Sequence, residues 1–375
     1  MPALPLTVIA DENMPALAGL EAVTRLQRLP GRRITREQVR EADVLLVRSV
    51  TRVDEALLAG SRVRFVGSAT IGTDHLDMPW LAAAGIQVSH APGCNAMAVA
   101  EYVLQALLQW LCEQRRQPAD IRVGVLGCGN VGSRVAALLR ALGAEVLCCD
   151  PPRARQGDQA EDWQPLAALL ECDVLTLHVP LISHGPDRTV GLVGPEALAR
   201  SSRLQLLINT CRGGVLDETA WLAGPPDQRP ALVLDVWEGE PAIKAALFRQ
   251  VRSGSPHVAG YSVEGKWRGS AMVCEALARW SGLTIAVPPP EVPARVWTRP
   301  VVELGDVLAL LRDAHDLRRD HAALATALAT PDPQAAFDDL RRRYPPRYEM
   351  AGTGVQAEVA ALWHSLLSAL GVRYG

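Results

Sequence analysis

Over the first ninety residues, short continuous apolar runs are separated by turn signals and amphipathic stretches. LTVIA (6–10), VLLV (44–47), VRFVG (63–67) and IQVSH (86–90) predict buried strands. Unbroken runs, rather than period-two alternation, are what strands covered on both faces of a parallel sheet require. After the breaker Pro92-Gly93, Val99, Tyr102, Val103, Ala106, Leu107, Trp110 and Leu111 recur at helical spacing and predict a long helix with one apolar stripe. A second series begins at Ile121, with strand candidates at 123–126, 145–149, 173–179, 204–209 and 231–236. The stretch 287–300 is proline-rich and predicts a linker. Beyond it the pattern is helical, with two dense charge clusters. The chain therefore divides into an α/β lobe, a second α/β lobe and a smaller C-terminal appendix.

Composition narrows the class. With 375 residues, 49% hydrophobic and 21% charged, the chain can bury real cores and is not expected to be disordered. A net charge of −3 argues against a general nucleic-acid binder. Lys244 and Lys266 are the only lysines, so the remaining cations are arginines, suited to bidentate grips on phosphate or carboxylate. No apolar run reaches the roughly 18 residues of a membrane helix, and the N-terminus lacks signal-peptide character. Eight cysteines without a CxxC pair predict small buried thiols in a reduced, cytoplasmic protein.

The sharpest local signal is GCGNVG, in which Gly127, Gly129 and Gly132 follow one strand candidate and open a helix candidate. Such glycines supply a tight turn, close approach to a pyrophosphate and close helix–strand packing. Backbone N–H groups near Asn130 and Val131 are then expected to face that anion. Asp150 ends the next strand about 20 residues on, where a carboxylate accepts the ribose hydroxyls and repels a 2′-phosphate. NAD is the expected cofactor. The nearest rival for this loop is S-adenosylmethionine in a methyltransferase.

Three later segments end strand candidates: NTCRGG with Arg212, DVWEGEP with Asp235 and Glu240, and SPHVAG with His257. Ligands of an open parallel sheet bind beyond the carboxyl ends of its strands, so these segments are expected to converge. Oxidising a 2-hydroxy acid needs a guanidinium for the substrate carboxylate, an imidazole base and a carboxylate to orient that base. Arg212, His257 and Glu240 match those roles in that order. GTDHLD offers Asp74, His75 and Asp77, but without a further ligand at metal spacing it reads as a hydrogen-bonded turn, so no metal is expected. The arginine clusters alternate with Asp and are expected to form a solvated face.

GCGNVG, NTCRG, DVWEGEP and SPHVAG together resemble the D-isomer-specific 2-hydroxyacid dehydrogenase family. DENMP, LLVRSVT, FVGSATIGTDHLD, APGCNA, CDPPRA and HVAGYSVEGKWRG extend that resemblance to a subfamily with an extra C-terminal dimerisation domain. The resemblance implies two Rossmann-like lobes with a cleft between them and a small α+β domain. Their expected bounds are 1–92 plus about 262–287 for a substrate-binding lid, 93–261 for the NAD lobe and 288–375 for dimerisation. It also implies a homodimer that oxidises a small phosphorylated 2-hydroxy acid, on a bacterial route to pyridoxal 5′-phosphate. Ser49, Thr70 and Tyr261 would contact substrate. Asn130, Val131, Asp150, Thr210, Cys211, Arg212, Asp235 and Gly260 would contact NAD. Val179 stands where the family usually has Thr or Cys. Arg48 and Arg347, the latter from a partner subunit, are candidates for the substrate phosphate. Two alternatives stay open: a dehydrogenase for another D-2-hydroxy acid, and an NAD-sensing corepressor on the same fold.

Overall fold

A computed structural model describes residues 5–375. Residues 1–4, part of the N-terminus judged to lack a leader, lie outside the described residues. Two compact units emerge: residues 1–95 with 262–292, and residues 96–261 with 293–375.

The first unit is built on a five-stranded parallel sheet. Its strands are β1 (Thr7–Asp11), β2 (Arg25–Leu29), β3 (Val44–Val47), β4 (Phe65–Ser68) and β5 (Gln87–His90), in the order β2-β1-β3-β4-β5. β3 and β4 are buried at every position, as continuous apolar runs require. One strand was not anticipated. β2 is RLQRL, with exposed arginines, and lies at the sheet edge where only one side pairs. Charged side chains on an edge strand also discourage pairing with another chain. Helix Val263–Ser281 packs Val273, Cys274 and Leu277 into the core under β1, β3 and β4, which makes the unit discontinuous in sequence.

The second unit carries a six-stranded parallel sheet. β6 (Arg122–Leu126), β7 (Glu145–Cys149), β8 (Val174–Leu177), β9 (Leu206–Asn209), β10 (Ala231–Leu234) and β11 (Ser253–Gly254) lie in the order β11-β10-β9-β8-β6-β7. The order reverses between β6 and β8, the switch point at which such sheets bind ligands.

The predicted long helix spans Ala96–Gln114, but it has more than one buried stripe: 14 of its 19 residues are buried, Glu101 and Gln105 among them. The C-terminal segment covers the face expected to meet water. Gln105 Oε1 accepts the Leu317 N–H at 2.9 Å and its amide donates to the His315 carbonyl. Glu101 Oε1 accepts the Met350 N–H at 2.7 Å. Leu304, Val307, Leu311, Trp363 and Leu367 join the same core as Val103, Leu107 and Val135. The segment itself combines helices Leu304–Ala314, Leu317–Leu328 and Pro333–Arg342 with a small parallel sheet of β12 (Val296–Trp297), β13 (Gly354–Val355) and β14 (Arg373–Tyr374). It therefore shares a core with the dinucleotide lobe rather than standing as a third compact body. No helix among the described residues is long and apolar enough to cross a membrane.

Arg347 departs from expectation. Its side chain is 3% exposed and donates to the carbonyls of Ala98, at 2.6 Å, and Ala259, at 2.8 Å, with Glu101 4.0 Å away. A guanidinium committed to interior carbonyls of its own subunit is not one extended toward a neighbour's substrate. It ties the C-terminal segment to the loop that follows His257.

Burial pushes the Glu101 carboxyl up to about 8, against the pull of Arg347. Its folded value thus exceeds its ordinary 4.5, so the folded state keeps a proton that the unfolded chain releases. This contribution to stability is full below pH 4.5 and is lost as pH rises to about 8. Glu101→Gln, which cannot titrate, is expected to show a smaller fall in unfolding free energy between pH 5 and pH 8 than the parent, measured by denaturant titration. Equal falls would show that Glu101 does not keep its proton.

Candidate active site

The glycine loop begins where β6 ends. Gly127 takes a left-handed φ of +85°. A Cβ on Gly132 would lie 1.9 Å from the Gly127 carbonyl oxygen, so the helix Gly132–Leu142 can start this close to the strand only without a side chain there. Gly129 is different: open space surrounds its missing Cβ. That is the room a pyrophosphate needs. The helix ends on Gly143 in the left-handed conformation, as its sequence position predicts.

Asp150 follows β7. Its Oδ2 accepts the Cys128 N–H at 2.9 Å and its Oδ1 caps Arg153 N–H at 3.2 Å. Each oxygen keeps a second lone pair for ribose hydroxyls. His178, just past β8, is half-buried; its Nε2 pairs with Thr176 Oγ1 at 2.9 Å while its buried Nδ1 has no partner, and desolvation lowers its pKa to about 3. Thr210 Oγ1 is likewise buried without a partner. The Val179 side chain lies beside the Gly127 α-carbon, where it packs rather than bonds. Orphaned polar atoms, an open Gly129 and a carboxylate at the ribose position fit a dinucleotide.

The catalytic candidates follow adjacent strands, Arg212 after β9, Glu240 after β10 and His257 after β11. Each loop is locked to the next. The Asn209 side chain donates to the Arg212 carbonyl at 3.0 Å and accepts the Cys211 N–H at 3.1 Å, closing the arginine loop. A Cβ on Gly213 would sit 1.9 Å from the Trp237 carbonyl oxygen, so that loop is pressed against the glutamate loop. Trp237 Nε1 in turn donates to the Ser255 carbonyl at 2.9 Å.

Asp235 is 1% exposed and organises the histidine loop. Its carboxylate accepts from Ser255 Oγ at 2.6 Å, Val258 N–H at 2.7 Å and Ala259 N–H at 3.0 Å, while its carbonyl accepts His257 N–H at 2.7 Å. Tyr102 continues the chain, its hydroxyl 2.7 Å from Ser255 Oγ. These bonds hold His257 at a φ of +58°, a left-handed conformation that costs a non-glycine residue energy and is concentrated at functional sites.

His257 Nδ1 is 2.8 Å from Glu240 Oε2, and Glu240 Oε1 accepts the Trp237 N–H at 2.8 Å. Burial raises the Glu240 pKa, but His257, its hydrogen bond and the Trp237 N–H outweigh it, so the carboxyl stays below its ordinary range. It is charged at neutral pH. With Nδ1 occupied, Nε2 is the nitrogen left to face a substrate.

In the first unit, Arg48 and Ser49 follow β3 and Thr70 follows β4, at the carboxyl ends of neighbouring strands. Ser49 is exposed. Thr70 Oγ1 donates to the Gly72 carbonyl at 2.9 Å and lies 2.7 Å from Ser68 Oγ. His75 Nε2 is 2.9 Å from the same Ser68 Oγ, and Asp77 caps helix Met78–Ala83, so that motif is spent on a turn. Among the described residues no cluster of His, Cys, Asp or Glu is arranged to hold a metal ion.

A family model described as D-isomer specific 2-hydroxyacid dehydrogenase, NAD binding domain, matches residues 100–259. Over 362 residues the chain is 45% identical to an erythronate-4-phosphate dehydrogenase of Marinobacter nauticus, covering 93% of this chain and 94% of that one. The chain belongs to the erythronate-4-phosphate dehydrogenase family. The Escherichia coli member is 42% identical over 373 residues, covering 97% of each chain. A solved D-lactate dehydrogenase of Aquifex aeolicus, complexed with NAD and lactic acid, shares the fold at a TM-score of 0.60 and 22% identity, over 74% of this chain and 96% of that one. Membership makes the protein an NAD-dependent dehydrogenase.

Two basic residues escaped the sequence reading as candidates. Burial, with Arg48 nearby, lowers Lys266 to about 8. Arg341, assigned to a solvated charge run, lies over the Tyr261 ring with its guanidinium carbon 5.8 Å from the centroid. The helical spacing from Phe337, which is fully buried, was the available signal for Arg341.

Replacing Glu240 by Gln keeps the size of the side chain but removes the charge that lies 2.8 Å from His257 Nδ1. The variant is expected to lose about 10²–10⁴-fold in kcat while its NAD dissociation constant, read from tryptophan fluorescence, changes little. An unchanged kcat would remove Glu240 from the mechanism.

Proposed function

We propose that the protein oxidises 4-phospho-D-erythronate at its C2 hydroxyl to 2-oxo-3-hydroxy-4-phosphobutanoate, within pyridoxal 5′-phosphate biosynthesis. The observation that carries this reading is near-full-length identity of 42–45% to erythronate-4-phosphate dehydrogenases together with the His257–Glu240 contact of 2.8 Å. Arg212 holds the substrate carboxylate through its planar fork. His257 Nε2 accepts the C2 hydroxyl proton, and Glu240 stabilises the imidazolium that results. Bound NAD supplies the acceptor for the C2 hydride. Ser49, Thr70 and Tyr261 hold the substrate, with Arg48 as a phosphate contact. Asn130, Val131, Asp150, Thr210, Cys211, Asp235 and Gly260 line the cofactor site. In this reading Asp235 acts chiefly by fixing the histidine loop, since its oxygens already accept three hydrogen bonds there. Eight unbridged cysteines support a reducing, cytoplasmic setting.

NADH absorbance with a panel of phosphorylated and plain 2-hydroxy acids tests the assignment. Turnover is expected to be highest with 4-phospho-D-erythronate, and His257→Ala is expected to lose at least about 10²-fold in kcat. No turnover of any acid by the parent would favour the corepressor reading. Equal turnover by the variant would exclude His257 as the base.

The same reading includes a homodimer formed through the C-terminal segment. Val296, Val302 and Leu362 in that segment are 53%, 38% and 62% exposed, apolar surface that a partner would cover. Sedimentation is expected to show a dimer for the parent and a monomer for Leu362→Asp. A monomeric parent would overturn the dimer, and a dimeric variant would move the interface elsewhere.

A further inference from the structure

Arginines 341, 342 and 343 are consecutive, yet they meet different fates. Arg342 and Arg343 are exposed, and both pair with Asp339 on their own helix. Arg341 lies one helical turn beyond Phe337, so it shares the inward face that Phe337 buries beside Trp237 and Phe248. That face brings the guanidinium over Tyr261, whose ring meets Tyr344 edge-on at 5.8 Å and 84°. Tyr344 is itself fixed by Asp320, at 3.0 Å, and by His315, also at 3.0 Å. The Arg341 charge acts on the Tyr261 hydroxyl, on Glu240 and on Asp235. Its Nε–H is buried with no acceptor. Buried donors are seldom left so, and an anionic ligand is a natural acceptor for a guanidinium.

The proposed substrate indicates which anion. Nearly all of the Aquifex D-lactate dehydrogenase matches about three-quarters of this chain, leaving a quarter without a counterpart. The C-terminal segment 293–375, which carries Arg341, is of that size. A lactate carries one anionic group, which a single guanidinium can hold. A phosphorylated acid carries two. We propose that Arg341 is a substrate-binding residue that holds the phosphate group of the substrate, so that the C-terminal segment confers selectivity for phosphorylated over plain 2-hydroxy acids. This inference rests on the proposed oxidation of a phosphorylated acid.

The test compares the parent, Arg341→Gln, Arg341→Lys and the exposed-neighbour control Arg342→Gln, with 4-phospho-D-erythronate and D-erythronate as substrates and inorganic phosphate as inhibitor. Arg341→Gln is expected to lower kcat/KM for the phosphorylated acid roughly 10–100-fold, the range for a lost charged hydrogen bond. The ratio of phosphorylated to plain turnover is expected to fall about tenfold or more, and the inhibition constant of phosphate to rise by a similar factor. Arg341→Lys, keeping charge without the fork, is expected to fall between parent and Gln variant, and Arg342→Gln to match the parent. NAD affinity measured by fluorescence confirms that each variant is folded. Equal losses for both acids, or no loss for either, would overturn the proposal. A parent that oxidises plain acids but not the phosphorylated one would refute the proposed substrate. In that case the phosphate inhibition constants alone decide whether Arg341 binds the anion.

Discussion

The active lobe depends on one buried carboxylate. Asp235 sits at the end of β10 with 1% exposure, and a charge so placed is tolerable only if donors surround it. Three do: a serine hydroxyl and two consecutive backbone N–H groups, all from the loop that carries His257. The bonds work in both directions. They satisfy a carboxylate that burial pushes toward neutrality, and they impose on His257 the left-handed backbone that a chain would otherwise avoid. Glu240 reaches the same imidazole from the other side, on a loop pinned by Trp237. Asp235 is therefore the anchor of the loop that carries His257.

The second organising constraint is the helix Ala96–Gln114. An amphipathic helix needs one covered face, and this one has nearly all of its circumference covered because Glu101 and Gln105 accept backbone N–H groups of the C-terminal segment. Two polar residues four apart lie on one face, so they act as a docking strip rather than as solvated positions. Arg347 closes the arrangement by donating to Ala98 and Ala259, one at the start of this helix and one beside His257. The C-terminal segment is thus hydrogen-bonded to the loop that carries His257, within a single subunit.

Much of this was legible in the sequence, for physical reasons that can be stated. VLLV and FVG fall in β3 and β4 because a strand buried on both faces has little use for polar residues. The glycine loop was legible because no residue with a Cβ fits at Gly132. Arg212, Glu240 and His257 could be grouped from the sequence because each follows a strand of an open parallel sheet, and such ends face one crevice. What escaped was whatever depends on distant chain. β2 is polar because only its partner strand, not its own pattern, makes it a strand. Glu101 and Gln105 look like the solvated side of a helix until residues some two hundred positions later cover them.

The arginines make the same point about chemistry. Arg212, Arg341 and Arg347 share one side chain, yet their surroundings differ. Arg347 donates through both terminal nitrogens to carbonyl oxygens of its own subunit, which makes it a strut. Arg212 is placed by an asparagine turn at the end of β9, which fixes its backbone, and its Nη1 donates to the Cys211 carbonyl at 2.7 Å. Arg341 is turned inward only because Phe337, one helical turn earlier, needs a core to enter. Sequence reasoning ranks arginines by motif, which finds the first. The other two are sorted by tertiary burial, so the residue closest to a recognisable charge cluster is the one whose neighbours had to be seen.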